Sequence, residues 1–230
     1  AALGLSDHEL VALTGARLPA HNQHRPYNPS YNIHPTTATP IVRRHRDGYN
    51  LIENLAWGMV TSRSGASNRT IINARSETVD HKPMFKRFVD SGRCVMPTIG
   101  FYEWNPQKTP FMIKAGGYPI TYLACIYDND DRFAILTTEA APAIASIHCR
   151  MPVVLEGEQV EMWIDTKQYS FDDCRSLLQP YKGELEYWQV APLKGNDPSC
   201  IERVKAQPET QGIKKFFQPK TEKKPAALKT

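Results

Sequence analysis

The sequence contains no apolar run long enough to cross a lipid bilayer, and it does not open with a basic flank followed by an apolar stretch. The first absence excludes a membrane-spanning helix, and the second excludes a secretory signal peptide. The 230 residues, of which 41% are hydrophobic, are enough to bury one core. We therefore predict a soluble, non-secreted protein with one domain and no membrane contact.

Cysteine is scarce, and its spacing is irregular. No pair is spaced as C-x-x-C or accompanied by histidines at zinc spacing, and the total is odd. This pattern is typical of reduced thiols in an intracellular protein and predicts neither a metal site nor a cofactor. The five residues are Cys94, Cys125, Cys149, Cys174 and Cys200.

The body of the chain also lacks an excess of charge of either sign. Residues 206–230 hold six lysines and two glutamates, which accounts for the whole net charge of +4. A surface that coats DNA through general basicity is therefore excluded. Nucleic acid could bind only in a local groove, because phosphates respond to the local potential.

Local signals for helices and strands are present along most of the chain. Ser6 and Glu9 form a capping box that starts a helix, and Gly15 can end it in the left-handed conformation. The segments PIVRRHR and NLIENLAWGMV flank DGYN and predict a β-hairpin. GEQVEMWID and SFDDCRSLLQPY are interpreted as helices, the second with Ser170 as its N-cap.

Strand signals dominate between these helices, in runs such as RCVMPTIGFYEW and PFMIKAGGYPITYLACIYD. The regular strand and helix alternation of a parallel sheet is missing. We therefore predict an α+β fold over residues 1–204, built on a curled, mainly antiparallel β-sheet with flanking helices.

The composition changes after about residue 204 to lysine, glutamine, proline and threonine, which predicts a disordered basic tail over 205–230. Ile213, Phe216 and Phe217 interrupt it within residues 210–217. Their spacing resembles the peptide with which repair proteins dock on the replication sliding clamp, although Thr210 stands where that peptide has Gln. The alternative is two phenylalanines placed there by chance.

Three side chains in the body could carry chemistry. Glu103 in GFYEW would share a strand face with Phe101, where an apolar environment raises a carboxyl pKa as a general acid requires. The alternative is an exposed glutamate at a strand end. His148 in SIHCRM could transfer protons or only hold structure, and Asn73 in IINARSET could stabilise an oxyanion or only hold a loop. Arg75 would suit a phosphate.

Six motifs, YNIHPT, WGMV, INARSET, GFYEW, IHCRMPVVL and GNDPSCIERV, occur in an order and spacing that resembles the SOS-response-associated peptidase (SRAP) family. The resemblance covers nearly all of residues 1–204. It implies an SRAP-like domain with a positively charged groove for single-stranded DNA that becomes covalently joined to abasic sites.

The resemblance also implies roles for individual residues. Asn73, Glu103 and His148 match the family's catalytic residues. Arg75 and Thr137 match DNA contacts of the family, and Asn32 and Pro35 fall on the loop that lines its lesion pocket. Arg150 is predicted as a further DNA phosphate contact.

Members of the family begin Met-Cys-Gly-Arg, and this sequence begins with the Ala1 that follows those residues. The family's cysteine, once it is N-terminal, reacts through its amine and thiol with the abasic aldehyde and closes a thiazolidine ring. We expect the four residues to precede Ala1. The alternative is an inactive member that only binds DNA. Cys149 is no substitute, because it lacks a free amine and would point away from His148 in a strand.

A second departure concerns WGMVTSRSG, where Thr61 and Arg63 occupy positions at which the family usually has Pro and Trp. The function predicted is repair of abasic sites in single-stranded DNA by covalent crosslinking, with a self-processing peptidase step. Two alternatives are a noncatalytic single-strand binder recruited to replication forks and a peptidase acting on other proteins. We also predict a monomer, located in the nucleus because of its lysine-rich, eukaryote-like tail.

Overall fold

A computed structural model describes residues 1–19, 27–61 and 69–204 of the chain. Its four α-helices are α1 (Asp7–Thr14), α2 (Pro83–Lys86), α3 (Glu158–Ile164) and α4 (Phe171–Cys174). The first strands are β1 (Ala38–Arg44), β2 (Asn50–Trp57), β3 (Met59–Thr61), β4 (Arg69–Ile71), β5 (Asn73–Arg75), β6 (Arg93–Thr98) and β7 (Phe101–Trp104). The later strands are β8 (Pro110–Ala115), β9 (Thr121–Tyr127), β10 (Arg132–Glu139), β11 (Arg150–Pro152), β12 (Val154–Leu155) and β13 (Leu185–Gln189).

The largest sheet has eight strands and curls until it meets itself. Its order is β11-β10-β2-β1-β6-β9-β12, with β5 also paired to β10. Because β9 pairs with β10 as well as with β6, the strands β10, β2, β1, β6 and β9 form a closed ring around the core. The predicted α+β fold with a curled sheet is confirmed. The sheet is mixed, since β10 runs parallel to β2 and β5 while the other pairs are antiparallel.

Several local signals are confirmed at the residues that carry them. Ser6 and Glu9 form the capping box of α1, and Gly15 ends it with φ 65°. The hairpin of β1 and β2 pairs Arg44 with Asn50 across the turn. Ser170 caps α4, but this helix ends at Cys174 and continues only as a 3-10 turn over Arg175–Leu177. The predicted helix was too long, because Leu178 leaves the helical conformation two residues before Pro180.

The core is closed on one side by Trp163 of α3, which is fully buried. Its indole N–H lies 3.0 Å from the carbonyl oxygen of Cys94 and 3.2 Å from that of Cys125, on neighbouring strands β6 and β9. The buried guanidinium of Arg93 lies 5.3 Å from the Trp163 ring centre and donates to the carbonyl of Tyr169. The helix is thus fastened to the sheet by polar contacts as well as by apolar burial.

The five cysteines are all free thiols, and Cys149 is exposed whereas Cys94, Cys125, Cys174 and Cys200 are buried. Within the described ranges, no helix is long and apolar enough to span a membrane. The same residues contain no group of three histidine, cysteine, aspartate or glutamate side chains that could hold a metal ion.

Candidate active site

Glu103 and His148 come together although they are remote in sequence. Glu103 lies on β7, in a small three-stranded sheet of order β13-β8-β7. His148 follows a 3-10 turn, Pro142–Ile144, and precedes β11. Glu103 Oε2 lies 3.8 Å from His148 Nδ1, and the Glu103 side chain is 22% exposed. The two side chains therefore lie close together at a position that is partly open to solvent.

The environment of Glu103 favours the protonated form of its carboxyl group. Burial raises its pKa from 4.5 to about 7, although the charges of His148 and of the Ala1 amino group act in the opposite direction. A group with such a pKa can give and accept protons at neutral pH. The alternative of an exposed glutamate at a strand end does not describe this residue.

The imidazole of His148 is held by the backbone of a single neighbour. Its Nδ1 lies 3.1 Å from the amide nitrogen of Arg150 and 3.0 Å from that residue's carbonyl oxygen. His148 and Cys149 lie between the turn over residues 145–147 and β11 and not in a strand, so the predicted strand alternation at Cys149 is wrong. Cys149 is exposed, and its carbonyl oxygen accepts a hydrogen bond from Ala140.

The first residues of the chain lie beside this pair. The N–H of Ala2 donates to Gly100, and the N–H of Ile99 donates to Ala2, both at 3.0 Å. On the other side Leu3 pairs with Ser30, and the N–H of Ile33 donates to the carbonyl of Ala1 at 2.8 Å. The amino group of Ala1 is close enough to Glu103 to lower its pKa. Residues joined ahead of Ala1 would therefore start next to Glu103.

Thr98 fixes this arrangement from inside the protein. Its buried hydroxyl lies 2.5 Å from the carbonyl oxygen of Ala2 and 2.7 Å from that of Gly100, and it accepts the N–H of Gly100 at 3.2 Å. One side chain thus connects the start of the chain to the turn that leads into β7.

Replacing Thr98 with Val should lower the free energy of unfolding by about 1–3 kcal/mol, because buried hydrogen-bonding groups lose their partner. Amide exchange at Ile99, whose N–H is bonded to Ala2, should become faster. Thr14→Val is the matched control, since the Thr14 hydroxyl likewise lies 2.7 Å from a backbone carbonyl oxygen, that of Leu10, and accepts the N–H of Ala16 at 3.2 Å. This variant should lower the free energy of unfolding by a similar amount, measured by urea unfolding, and should leave amide hydrogen exchange at Ile99 unchanged. Equal exchange in the two variants would contradict the role given to Thr98.

Asn73 and Arg75 lie on β5, where they pair with Ile135 and Thr137 of β10. Both residues are exposed. Among the described residues no hydrogen bond joins the Asn73 side chain to Glu103 or His148. The role predicted for Asn73 therefore stays a prediction.

Arg150, which was predicted to contact DNA, forms a salt bridge with the carboxylate of Glu77. Its guanidinium meets Glu77 through two hydrogen bonds of 2.6 and 3.0 Å and also contacts Thr137, another predicted DNA contact, with 3.2 Å to the hydroxyl. The hydrogen bond from Arg150 lowers the pKa of Glu77. Sequence reasoning missed Glu77, although an acidic residue two positions after Arg75 was the available signal.

Asn32 and Pro35 lie on the loop before β1. Asn32 is buried and donates its side-chain N–H to the carbonyl of Gly195 at 3.1 Å, so its amide holds two segments of the protein together. Pro35 is exposed. The predicted clamp-binding residues Ile213, Phe216 and Phe217 lie outside the described residues, as does Arg63.

Comparison with known proteins adds to this geometry. Abasic site processing protein YoqW of Bacillus subtilis (strain 168) is 34% identical over 196 residues, covering 76% of this chain and 87% of its own. Abasic site processing protein HMCES of Mus musculus is 26% identical over 255 residues, covering 85% and 72%.

The fold has relatives among solved structures as well. A crystal structure of a protein from Bacteroides thetaiotaomicron superposes with a TM-score of 0.75 at 22% identity, covering 88% of this chain and 98% of that one. The family model described as SOS response associated peptidase (SRAP) matches residues 1–196. The chain therefore belongs to the SRAP family, and the predicted resemblance is confirmed.

Proposed function

We propose that this protein acts in the repair of abasic sites in DNA, as the names of its relatives YoqW and HMCES indicate for those proteins. We further propose that it acts on single-stranded DNA and joins the abasic sugar covalently to a cysteine placed three residues ahead of Ala1. The observation that supports this most strongly is the Glu103 and His148 pair, 3.8 Å apart beside the first residues of the chain.

The proposed reaction begins with opening of the abasic sugar. A proton leaves the C1′ hydroxyl, the bond between C1′ and the ring oxygen breaks, and the ring oxygen gains a proton, so that C1′ becomes an aldehyde carbon. His148, 42% exposed and adjacent to a carboxyl group, is suited to take the first proton and deliver the second.

The aldehyde then reacts with both groups of the cysteine. The amine adds to the carbonyl carbon, water leaves, and the resulting imine accepts the thiolate at carbon and a proton at nitrogen. The sum is aldehyde plus aminothiol giving thiazolidine and one water. Glu103 in its acid form donates the proton that the departing hydroxyl needs, and its carboxylate form accepts the proton released by the amine.

Phosphate binding would require an exchange of partners at Arg150. Glu77 holds its guanidinium in place, and a DNA phosphate offers the same two-oxygen geometry. Arg75 on β5 and Arg150 on β11 would then offer two guanidinium groups on the two strands that flank β10. Asn73 on the same strand as Arg75 would orient the cysteine or the sugar.

The cysteine must be N-terminal for this chemistry. We therefore include in the proposal a self-processing step, the hydrolysis of the Met–Cys peptide bond, which exposes the amine.

The direct test uses two chains that carry Met-Cys-Gly-Arg or Met-Ser-Gly-Arg ahead of Ala1. Each is incubated with a single-stranded oligonucleotide that contains one abasic site and then denatured. A shifted band that survives denaturation is expected from the cysteine chain alone. Binding without such a band would support the noncatalytic single-strand binder instead, and cleavage of unrelated proteins would support a general peptidase.

The tail proposal has a separate test. Deletion of residues 210–217 should abolish binding to the sliding clamp in a pull-down and leave crosslinking unchanged, because the crosslinking groups lie in the body. Clamp binding that persists would exclude Ile213, Phe216 and Phe217 as the contact. Nuclear location and a monomeric state stay predictions.

A further inference from the structure

The side-chain amide oxygen of Asn196 accepts three hydrogen bonds from the loop of residues 30–32. Its Oδ1 lies 2.8 Å from the Ser30 hydroxyl, 2.7 Å from the Tyr31 amide nitrogen and 3.2 Å from the Asn32 amide nitrogen. Asn32 returns a bond from its side chain to the carbonyl of Gly195, the residue before Asn196. Residues 30–32 are therefore hydrogen-bonded to residues 195–196, more than 160 positions later in the chain.

The same loop holds the start of the chain. Ser30 exchanges backbone hydrogen bonds with Leu3, at 2.6 and 3.0 Å, and the N–H of Ile33 reaches the carbonyl of Ala1 at 2.8 Å. The loop thus lies between Asn196 on one side and residues 1–3 on the other. A movement of the loop would be passed directly to the residues that lead into the site.

The segment that carries Asn196 is itself fixed. Asp197 accepts the N–H of Ser199 at 2.9 Å and caps the 3-10 turn Pro198–Ile201. Cys200 on that turn is buried, and its carbonyl lies 3.4 Å from the hydroxyl of Tyr102. The position of Asn196 is therefore fixed by the segment that follows it, although the residue itself is exposed at the protein surface.

We propose that Asn196 is a positioning residue for the proposed crosslinking reaction. Through the loop of residues 30–33, it keeps the residues ahead of Ala1 beside Glu103 and His148. Reaction between two bound groups depends steeply on their placement, and small displacements cost large factors in rate. This inference rests on the proposed function, and it assigns Asn196 an effect through the loop of residues 30–33 and not through a contact with the sugar.

Asn196→Ala in the cysteine-bearing chain should lower the maximal single-turnover crosslinking rate about tenfold, because residues 30–32 lose three hydrogen bonds and the residues ahead of Ala1 are placed less precisely. The concentration of abasic oligonucleotide at half-maximal rate should change by a smaller factor than the maximal rate, because Arg75 and Arg150, the proposed phosphate contacts, lie on β5 and β11 and not in the loop of residues 30–33. Amide exchange at Tyr31 and Asn32 should become faster. Asn196→Asp keeps an acceptor oxygen and should restore most of the rate and the protection of both amides.

The control is Asp128→Ala, which removes a side chain that accepts two backbone N–H groups, from Asp130 and Arg132, at the turn between β9 and β10. It should lower the melting temperature and leave the rate unchanged. An Asn196→Ala variant that crosslinks at the normal rate while Tyr31 and Asn32 exchange faster would overturn the inference. So would an equal loss of rate in Asp128→Ala. If the parent chain forms no crosslink, the proposed function fails, and the exchange measurement still decides whether Asn196 holds the loop.

Discussion

Glu103→Gln should slow formation of the denaturant-resistant crosslink by about 10²–10⁴-fold, the range that general acid–base catalysis contributes. Glutamine keeps the shape and polarity of the side chain but cannot give or take a proton. Single-turnover kinetics on an abasic oligonucleotide measure this loss. The matched control is Glu186→Gln on β13 of the same small sheet, where the glutamate is exposed and pairs with Lys114. The control should react at the parent rate.

The pH dependence of the same variant separates chemistry from misfolding. If water loss needs the acid form of Glu103, the parent rate should fall as pH rises above about 7, and the variant should lose this dependence. Burial favours the protonated form, so the folded protein binds this proton more tightly than the unfolded chain does. Stability of the parent should therefore decrease as pH rises from 4.5 to about 7, and that of the variant should not decrease for this reason. A variant that is slow and also less stable than the parent at pH 8 would contradict this account.

Trp163→Ala should reduce the free energy of unfolding by about 3–5 kcal/mol, the usual cost of removing a buried tryptophan. The side chain is fully buried, so a cavity would remain between α3 and the sheet. The carbonyl oxygens of Cys94 and Cys125 would lose their indole donor, and the guanidinium of Arg93 would lose the ring that covers it. Urea unfolding measures the change.

Trp104→Ala makes the same substitution at a tryptophan that is 44% exposed. Its cost in urea unfolding should stay below about 1 kcal/mol, as is usual for surface positions. Comparable losses in the two variants would mean that Trp163 does not close the core as described.

Much of the local structure could be predicted because its causes are local. The capping box at Ser6 and Glu9, the left-handed Gly15 and the hairpin around residues 45–49 each depend on residues a few positions apart. The closure of the sheet could not be predicted in this way. It depends on β10 pairing with β9, β2 and β5 at once, and the parallel pairs join segments far apart in the chain.

The candidate site shows the same division. Residue chemistry made Glu103 and His148 candidates, the family resemblance favoured a catalytic role for them, and the structure brings them within 3.8 Å of each other. The sequence could not show that Glu77 neutralises Arg150, nor that Asn196 holds residues 30–32, because these contacts join residues 73 and more than 160 positions apart. Glu77 and Asn196 are typical polar loop residues in the sequence. Their roles depend on a segment that only the fold brings against them.

The unequal burial of the thiols allows one cysteine to be labelled selectively. In the chain that starts at Ala1, Cys149 is the one exposed cysteine of five, and it is the immediate neighbour of His148. A maleimide fluorophore would attach there without mutagenesis. Since this chain carries no cysteine ahead of Ala1, the fluorophore's emission should report the arrival of an oligonucleotide separately from bond formation to the sugar.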